Sequence, residues 1–262
     1  MAVLKIDHVS KVFEEHGQPH VVLKDVCFEV HDKEFVCLLG PSGCGKTTLL
    51  SMMGGFQLPT SGQILLDSEP VTCPAAERGY VFQNYALFPW MNVRKNIAYA
   101  LRFLPLSRKE KDERVKNLIR LAHLEGNEEK YPVMLSGGMQ QRVAVARALA
   151  GQPKALMMDE PLGAIDFQMR ELMQNDLDQM IRETGITTVM VTHDVAESVF
   201  FSDRVIVMSG FEGQILEDLH IDLPKPRNRE SPEFNRLQTH LSSLLRRAFA
   251  DRDKYRVLSE QK

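Results

Sequence analysis

The 262-residue sequence predicts an α/β fold, built on a mostly parallel β-sheet with helices on both faces. Three apolar runs of strand length, at 155–158, 187–191 and 204–208, have helical patterns between them. A fourth run, 35–39, ends in a glycine-containing loop, and a helical pattern follows from Lys46. Strands that alternate with helices in this way form parallel sheets that are covered on both faces.

Two β-like stretches, at 3–9 and 21–30, come before the glycine loop. In the second stretch, apolar residues alternate with Cys27 and Glu29, as expected for a strand with one buried face. We expect the two stretches to form an N-terminal antiparallel β subdomain.

The middle of the chain, from about residue 86 to 150, has helical patterns. Ser107 followed by Glu110 is a capping-box pattern that opens one helix, and a second helix is expected from Ser136. Because strand patterns lie on both sides of this stretch, we interpret it as a helical subdomain inserted between strands of the sheet.

Further helices are expected after the later strands. One of them ends at Gly185 and has six apolar residues on its inward face, namely Met169, Leu172, Met173, Leu177, Met180 and Ile181. The run 204–208 is expected to be the last strand.

The tail has the pattern of a final helix. Ser231-Pro232-Glu233 matches an N-cap, an N1 proline and a first-turn acid. The helix has an apolar face formed by Phe234, Leu237, Leu241, Leu244 and Leu245. We expect this face to pack back on the body of the protein, with a contact to another subunit as the alternative.

The composition is that of an ordinary globular protein, with 44% hydrophobic and 26% charged residues. A net charge of -3 argues against a nucleic-acid binder with a broad basic surface, so we expect no nucleic-acid partner. The four cysteines form no C-x-x-C pair and have no histidine at metal-ligand spacing, which is typical of incidental thiols in a reducing compartment.

The sequence contains no pattern of a secretory signal or of a membrane-spanning helix. Lys5 and Asp7 interrupt the N-terminal segment, so we expect no secretory signal. No stretch approaches the roughly 18 uninterrupted apolar residues that a membrane-spanning helix needs. We therefore expect a cytoplasmic protein that reaches a membrane only through a partner.

The glycine loop matches the phosphate-binding pattern G-x-x-x-x-G-K-T. Its residues are Gly40, Pro41, Ser42, Gly43, Cys44, Gly45, Lys46 and Thr47, followed by Thr48. Glycines let successive backbone N–H groups turn inward around a phosphate, which also meets the positive end of the following helix. Lys46 is expected to reach the β and γ oxygens, and Thr47 to bind Mg²⁺. The loop alone fits a kinase, a GTPase or an ATPase equally well.

A pair of acids narrows that choice. The run 155–158 delivers Asp159 and Glu160 at its carboxyl end, where such folds place a carboxylate near Mg²⁺. Asp159 is expected to bind the metal. Glu160 is expected to polarise the attacking water as a general base.

A second candidate anion site lies at 135–142, with the sequence Leu-Ser-Gly-Gly-Met-Gln-Gln-Arg. A serine-glycine turn that opens a helix binds anions through backbone N–H groups. A simple helix cap would explain Ser136, but it would not explain two glycines followed by Gln-Gln-Arg.

This stretch resembles the signature of ATP-binding cassette (ABC) proteins, and the resemblance spans nearly the whole chain. Gln83 matches the Q-loop of that family, Asp166 the D-loop and His193 the switch histidine. The resemblance implies a P-loop NTPase (RecA-like) fold. It also implies a cassette domain over 1–230 and a C-terminal helical tail over 231–262.

The resemblance further implies that two cassettes pair head to tail, as a homodimer or pseudo-homodimer, with each ATP clamped between them. It assigns catalytic roles to Glu160, His193 and Gln83, and Mg²⁺ binding to Thr47, Gln83 and Asp159. ATP is expected to contact the loop residues 40–48 together with Phe13, Ser136, Gly137, Gly138, Gln140 and Asp166. Phe13 lies where the family stacks an aromatic ring on adenine; the alternative is an ordinary core phenylalanine.

The chain also resembles importer cassettes for nitrate, sulfonate or taurine, in which Pro-Trp follows the Q-loop as Pro89-Trp90 does here. This resemblance implies a separate membrane permease, a solute-binding protein and a location on the inner face of the membrane. The alternative is an ABC ATPase of a non-transport complex or of a complex with a different specificity. Phe88 and Trp90 either form a groove for a permease helix or fill the core of the helical subdomain.

Overall fold

The computed structural model describes residues 2–15, 17–163 and 167–259. Its contacts divide the chain into two compact units. The first unit combines Met1–Pro74 with Val189–Lys262, and the second is Ala75–Thr188.

The first unit contains most of the strands. In chain order its elements are β1 (Ala2–Glu15), β2 (Gln18–His31), β3 (Phe35–Leu39), α1 (Lys46–Met53), β4 (Ser61–Leu66), β5 (Glu69–Pro70), β8 (Thr187–Thr192, within which the unit boundary falls), α6 (Val195–Phe201), β9 (Arg204–Met208), β10 (Ile215–His220) and α7 (Pro232–Ser259).

The second unit contains most of the helices. Its elements are β6 (Arg78–Val81), α2 (Val93–Tyr99), α3 (Arg108–Leu121), α4 (Gly137–Ala150), β7 (Ala155–Asp159) and α5 (Phe167–Thr184), with short 3-10 helices at Ala100–Phe103 and Pro132–Met134. Strands β6 and β7 pair in parallel.

The N-terminal strands form the expected antiparallel sheet, with the order β2-β1-β4-β5. Both β-like stretches are present and extend further than their patterns predict, because β1 continues to Glu15 and β2 begins at Gln18. The long ends of these strands pair with each other as a hairpin, down to Glu15 opposite Gln18.

The buried strands carry the apolar runs of the sequence. Every residue of β3, β7, β8 and β9 is buried, as expected for strands covered on both faces. In the first unit, β3 pairs with β9 in parallel.

Two expectations about these elements are wrong. The run 204–208 is not the last strand, because β10 follows it and pairs with β9 antiparallel. Residues of β10 are half-buried or exposed, so it shows no apolar run. On α5, the helical spacing predicts that Leu172 faces inward, but it is 52% exposed, whereas Met173, Leu177, Met180 and Ile181 are buried. Met169 lies outside the residues whose side chains are described.

The helix starts follow their sequence signals. In the capping box of α3, the backbone N–H of Ser107 donates to Glu110 Oε2 at 2.7 Å, and that of Glu110 donates to Ser107 Oγ at 3.3 Å. Ser231 caps α7 with a single bond, since its Oγ accepts from the Phe234 backbone N–H at 3.2 Å. Each short-range pattern therefore fixes the residue at which its helix begins.

The C-terminal helix packs against its own unit. Phe234, Leu241 and Leu244 are buried, and α7 contacts α6 and β9. Across the part of the chain that the structure describes, no helix combines the length and apolar character needed to cross a bilayer.

Candidate functional site

The glycine loop follows β3 directly and leads into α1, in the first unit. Gly43 and Gly45 adopt left-handed backbone conformations, with φ of 81° and 97°. A Cβ atom on Gly45 would also lie 2.6 Å from Leu23 Cδ2. Glycine adopts the left-handed conformation at both positions without strain, and at position 45 it also avoids the contact with Leu23. The loop can therefore wrap its backbone N–H groups around a phosphate.

Lys46 is buried within this loop, with only 5% of its surface exposed. Its ammonium donates to the carbonyl oxygens of Gly40 and Pro41 at 2.8 and 2.9 Å. These oxygens carry no net charge, so they compensate a buried cation only in part. A phosphate group would complete that compensation, and the loop therefore has the features of a phosphate-binding site.

The other loop residues divide into exposed and buried ones. Ser42 and Thr47 are exposed, Thr48 is half-buried, and Cys44 is 3% exposed. Burial raises the pKa of the Cys44 thiol above its ordinary value, which keeps that group protonated near neutrality. Cys44 is thus a small buried side chain, and its backbone N–H donates to the Pro41 carbonyl oxygen at 3.3 Å.

His193 is exposed on the turn between β8 and α6. Thr192 Oγ1 accepts from the Asp194 backbone N–H at 3.0 Å and donates to Glu197 Oε2 at 2.7 Å. The Asp194 carboxylate caps α6 by accepting from the backbone N–H groups of Ala196 and Glu197. This network fixes the backbone on both sides of the histidine.

Phe13 lies on β1 and is 37% exposed. The Lys11 ammonium is 5.0 Å from the centroid of its ring. The ring is therefore not a core residue, and one that is partly in solvent is available to stack on a base.

In the second unit, β7 delivers its two acids as expected. Asp159 is buried at the end of the strand. Glu160 comes next with a φ of 44°, a conformation that is rare for non-glycine residues and recurs at functional sites. The Gln83 side-chain amide donates to Glu160 Oε2 at 3.2 Å, so two of the predicted catalytic residues lie together.

The signature residues form the serine-glycine turn that the sequence predicts. Ser136 is the N-cap of α4, and its Oγ accepts from the Met139 backbone N–H at 3.3 Å. Gly137 and Gly138 form the first turn, and a Cβ atom on Gly138 would lie 2.3 Å from Met173 Sδ. Glycine at this position therefore leaves room for the Met173 side chain of α5 against the start of α4.

Gln140 braces the same turn. Its side-chain amide donates to the carbonyl oxygens of Pro132 and Leu135 at 3.0 and 3.2 Å. The segment that leads into the signature is thereby fixed to α4. The D-loop residue Asp166 lies outside the described residues.

Two positioning residues were missed at the level of sequence. Arg147 on α4 donates to the carbonyl oxygens of Tyr85 and Ala86 at 2.9 and 2.8 Å. Asn96 on α2 is 1% exposed, accepts from the Phe88 backbone N–H and donates to the Phe88 carbonyl oxygen. Both hold the loop that follows Gln83, which spans residues 84–92 and ends where α2 begins. The only signal in the sequence was a polar residue inside each helical pattern.

The two aromatic residues of this loop have different environments. Trp90 is 69% exposed, so it does not fill the core. Phe88 is half-buried, 5.7 Å from the Trp90 ring and 4.6 Å from that of Tyr99, and the Arg147 guanidinium lies 5.2 Å from its centroid. Of the two roles considered for these rings, packing therefore suits Phe88 and surface contact suits Trp90.

Known proteins resemble this chain over most of its length. The family described as ABC transporter matches residues 23–163. The nitrate import ATP-binding protein NrtD of Synechocystis sp. is 43% identical, over 93% of this chain and 95% of that protein. The taurine import ATP-binding protein TauB of Roseobacter denitrificans is also 43% identical, over 89% of this chain and 90% of its own. In a longer relative, the nitrate import ATP-binding protein NrtC of Synechococcus elongatus, 43% identity covers 92% of this chain and 38% of that protein.

The fold also has solved relatives. A dimeric ATP-binding cassette, bound to ADP and Pi in a post-hydrolysis state, aligns with a TM-score of 0.73 and 29% identity. The alignment covers 84% of this chain and 100% of that one. The expected P-loop NTPase fold is thereby confirmed.

Proposed function

This chain belongs to the ABC transporter family, and we propose that it is the ATP-hydrolysing subunit of an importer that takes up a small anion. The family and the ABC-type ATPase predicted from the motifs are confirmed. One feature carries the proposal: a phosphate loop and a second anion-binding turn, Ser136 to Gly138, occur in the same chain. Two relatives are named for the import of nitrate, which is an anion, and of taurine, which carries an anionic sulfonate group, and both names support uptake of a small solute with an anionic group here.

ATP would be held through its phosphates. The backbone N–H groups of the glycine loop and the Lys46 ammonium would bind the β and γ oxygens. Thr47, Gln83 and Asp159 offer hydroxyl, amide and carboxylate oxygens, the donor set that suits Mg²⁺. Bound Mg²⁺ would supply neutralisation of charge on the phosphate oxygens. Phe13 would stack on the adenine ring.

Hydrolysis would rest on Glu160. Its carboxylate accepts a proton from the water whose oxygen attacks the γ-phosphorus, and the bond to the β-γ bridging oxygen breaks. Gln83, which already donates to Glu160, orients that carboxylate. His193, on its braced turn, would donate to the γ-phosphate and stabilise the charge that develops there.

The signature turn would act on the nucleotide of a second cassette. Ser136, Gly137 and Gly138 would bind the γ-phosphate held by the partner's loop. Gln140 would support that site by holding the turn through its bonds to Pro132 and Leu135, and the D-loop residue Asp166 would belong to the same shared nucleotide site. A cassette of this kind would therefore hydrolyse ATP as a dimer, either of identical copies or of homologues. Its other partners would be permease subunits at the inner face of the membrane, and a solute-binding protein acting through them.

Coupled ATP hydrolysis tests the proposal. With its permease and solute-binding protein in lipid vesicles, the cassette should hydrolyse ATP faster when nitrate, taurine or an alkanesulfonate is supplied. Glu160→Gln should keep ATP binding and lose about 10²–10⁴-fold in turnover. Glu171→Gln, at an exposed position on α5, is the matched control and should behave as the wild type. Hydrolysis that no anion of the panel stimulates would contradict anion import, and rapid hydrolysis by Glu160→Gln would contradict the base.

Mixed variants test the shared site. Lys46→Ala should weaken ATP binding. Ser136→Arg should leave ATP binding by the isolated monomer intact but block ATP hydrolysis by the dimer. Each variant alone should be inactive. An equimolar mixture should recover activity, because one of the two sites in a heterodimer then has both wild-type halves. A mixture as inactive as its components would contradict a site built from two chains.

A further inference from the structure

The pairing of β1 with β2 contains a β-bulge near its start. Ile6 lies opposite Phe28 and Val9 lies opposite Val26, so two residues of β1 face a single residue of β2 between those pairs. A bulge of this kind re-aims side chains, and it brings consecutive residues of one strand towards the same partner. In a regular strand those two side chains would point to opposite faces.

The residues at this bulge all have metal-binding side chains. Asp7 and His8 are the two residues of β1, and Cys27 is the one residue of β2. One donor atom from each lies within 4.8 Å of the other two. His8 and Cys27 are exposed and Asp7 is half-buried, so an ion would reach them from solvent without any opening of the fold. The spacing along the sequence gave no sign of this cluster, because the bulge creates it.

A further residue orients the imidazole. His8 Nδ1 lies 2.7 Å from Asp25 Oδ1, and a carboxylate can only accept, so Nδ1 carries the proton. In the neutral ring Nε2 then keeps the lone pair that a metal requires. A histidine held by a carboxylate in this way is the usual arrangement behind a bound zinc ion.

We propose that Asp7, His8 and Cys27 form a binding site for a zinc-class divalent cation, separate from the residues assigned to ATP. One carboxylate oxygen, one imidazole nitrogen and one thiolate sulfur are ligands that Zn²⁺ accepts, with water in the fourth position. Cys27 would release its thiol proton to solvent on binding. The two anionic ligands, Asp7 and Cys27, would then balance the charge of the ion.

One neighbour would oppose the ion. The Lys5 ammonium lies 3.5 Å from Asp7 Oδ1, and its side chain is 42% exposed. Gln63 donates to the other carboxylate oxygen at 3.2 Å and would hold Asp7 in place. The lysine would have to swing into solvent, so its removal should tighten the site. Adventitious binding elsewhere on the protein would not respond to that change.

Binding of Co²⁺ to the full, tag-free and nucleotide-free chain tests the site. Co²⁺ alone should give the near-ultraviolet band of a thiolate ligand, and Zn²⁺ should displace it. Cys27→Ser should remove the band and His8→Ala should weaken binding at least tenfold, whereas Cys73→Ser, at an exposed cysteine outside the cluster, should change neither. Asp25→Asn should weaken binding roughly 10–100-fold and Lys5→Ala should strengthen it.

A second measurement requires no variant. Zn²⁺ should slow the alkylation of Cys27 in the wild-type chain and leave that of Cys73 unchanged, with each site read by mass spectrometry. The proposal is overturned if Cys27→Ser keeps the cobalt band, or if Cys27 is alkylated at the same rate with and without Zn²⁺. Neither result would bear on the ATPase, because none of these residues has a role in it.

Discussion

Replacing Arg147 by alanine would remove the side chain that fixes the loop after Gln83. The guanidinium donates to the carbonyl oxygens of Tyr85 and Ala86 and lies over the ring of Phe88. The guanidinium is largely shielded from water, and this burial lowers the pKa of Arg147. Tyr85 and Ala86 have φ of 61° and 45°, so both contacts support a backbone that seldom forms by itself.

The cost follows from these contacts. A hydrogen bond to a charged group contributes about 1.5–3 kcal/mol, and a cation–π contact about 0.5–2 kcal/mol. Ala86 is exposed, so water can replace the bond to its carbonyl oxygen once the arginine is removed. The free energy lost, summed over the two hydrogen bonds and the cation–π contact, therefore lies near the lower end of the combined range. We expect Arg147→Ala to lower the free energy of unfolding by about 3 kcal/mol. Arg147→Lys should lose about half as much, since it keeps the charge but not the two-pronged geometry.

Arg114 supplies a matched control. It donates to the carbonyl oxygens of Leu149 and Ala150 at 3.0 and 2.8 Å, and burial lowers its pKa as well. Its two bonds end at the last turn of α4 and do not touch the loop after Gln83. Arg114→Ala should therefore cost a similar free energy without disturbing that loop.

Urea unfolding and permease-stimulated ATP hydrolysis separate the two effects. Both variants should unfold at lower urea concentration, but only Arg147→Ala should lose most of the stimulation by the permease. Equal losses of stimulation in the two variants would show that stability alone is responsible. An Arg147→Ala variant that couples as well as the wild type would refute the role of the loop.

Two other residues give direct tests. Trp90→Ala should weaken assembly with the permease, because the ring is 69% exposed, while the isolated cassette keeps its ATPase activity. If the variant still pulls down the permease and its ATP hydrolysis is still stimulated normally, a permease contact at Trp90 is excluded. Cys44 should react with iodoacetamide far more slowly at neutral pH than the exposed Cys73, because burial raises the pKa of Cys44 and so lowers its thiolate fraction. The rate at Cys44 should rise as the pH approaches that raised pKa, and fast labelling at neutral pH would contradict its burial.

Features set by short-range contacts could be predicted from the sequence. The start of α3 is fixed by hydrogen bonds between Ser107 and Glu110, three residues apart, and the turn that opens α4 by a bond from Met139 to Ser136. The glycine loop could be recognised because its pattern lies within the consecutive residues 40–47. In each case the residues that make the structure stand close together in the sequence.

Features that depend on distant partners could not be predicted. Arg147 binds the carbonyl oxygen of a residue 62 positions earlier, so nothing near it in the sequence indicates its role. Strand β10 lies beside β9 alone and is half-exposed, which leaves it without the apolar run of a buried strand. Leu172 satisfies the helical spacing of its neighbours and is nevertheless 52% exposed, because spacing cannot show where a packed face ends.

The loop after Gln83 connects these observations to the transport step. It begins at a side chain that contacts Glu160 and ends at an exposed indole, Trp90. Between them, Arg147 ties it to α4 and Asn96 ties it to α2. A loop anchored at two helices cannot bend freely, so a shift of Gln83 would reach Trp90 only if the helices moved with it. We therefore expect the coupling of ATP hydrolysis to transport to depend on Arg147 and Asn96 as much as on Trp90. For that reason Arg147 should matter for transport, although it belongs to none of the phosphate-binding motifs.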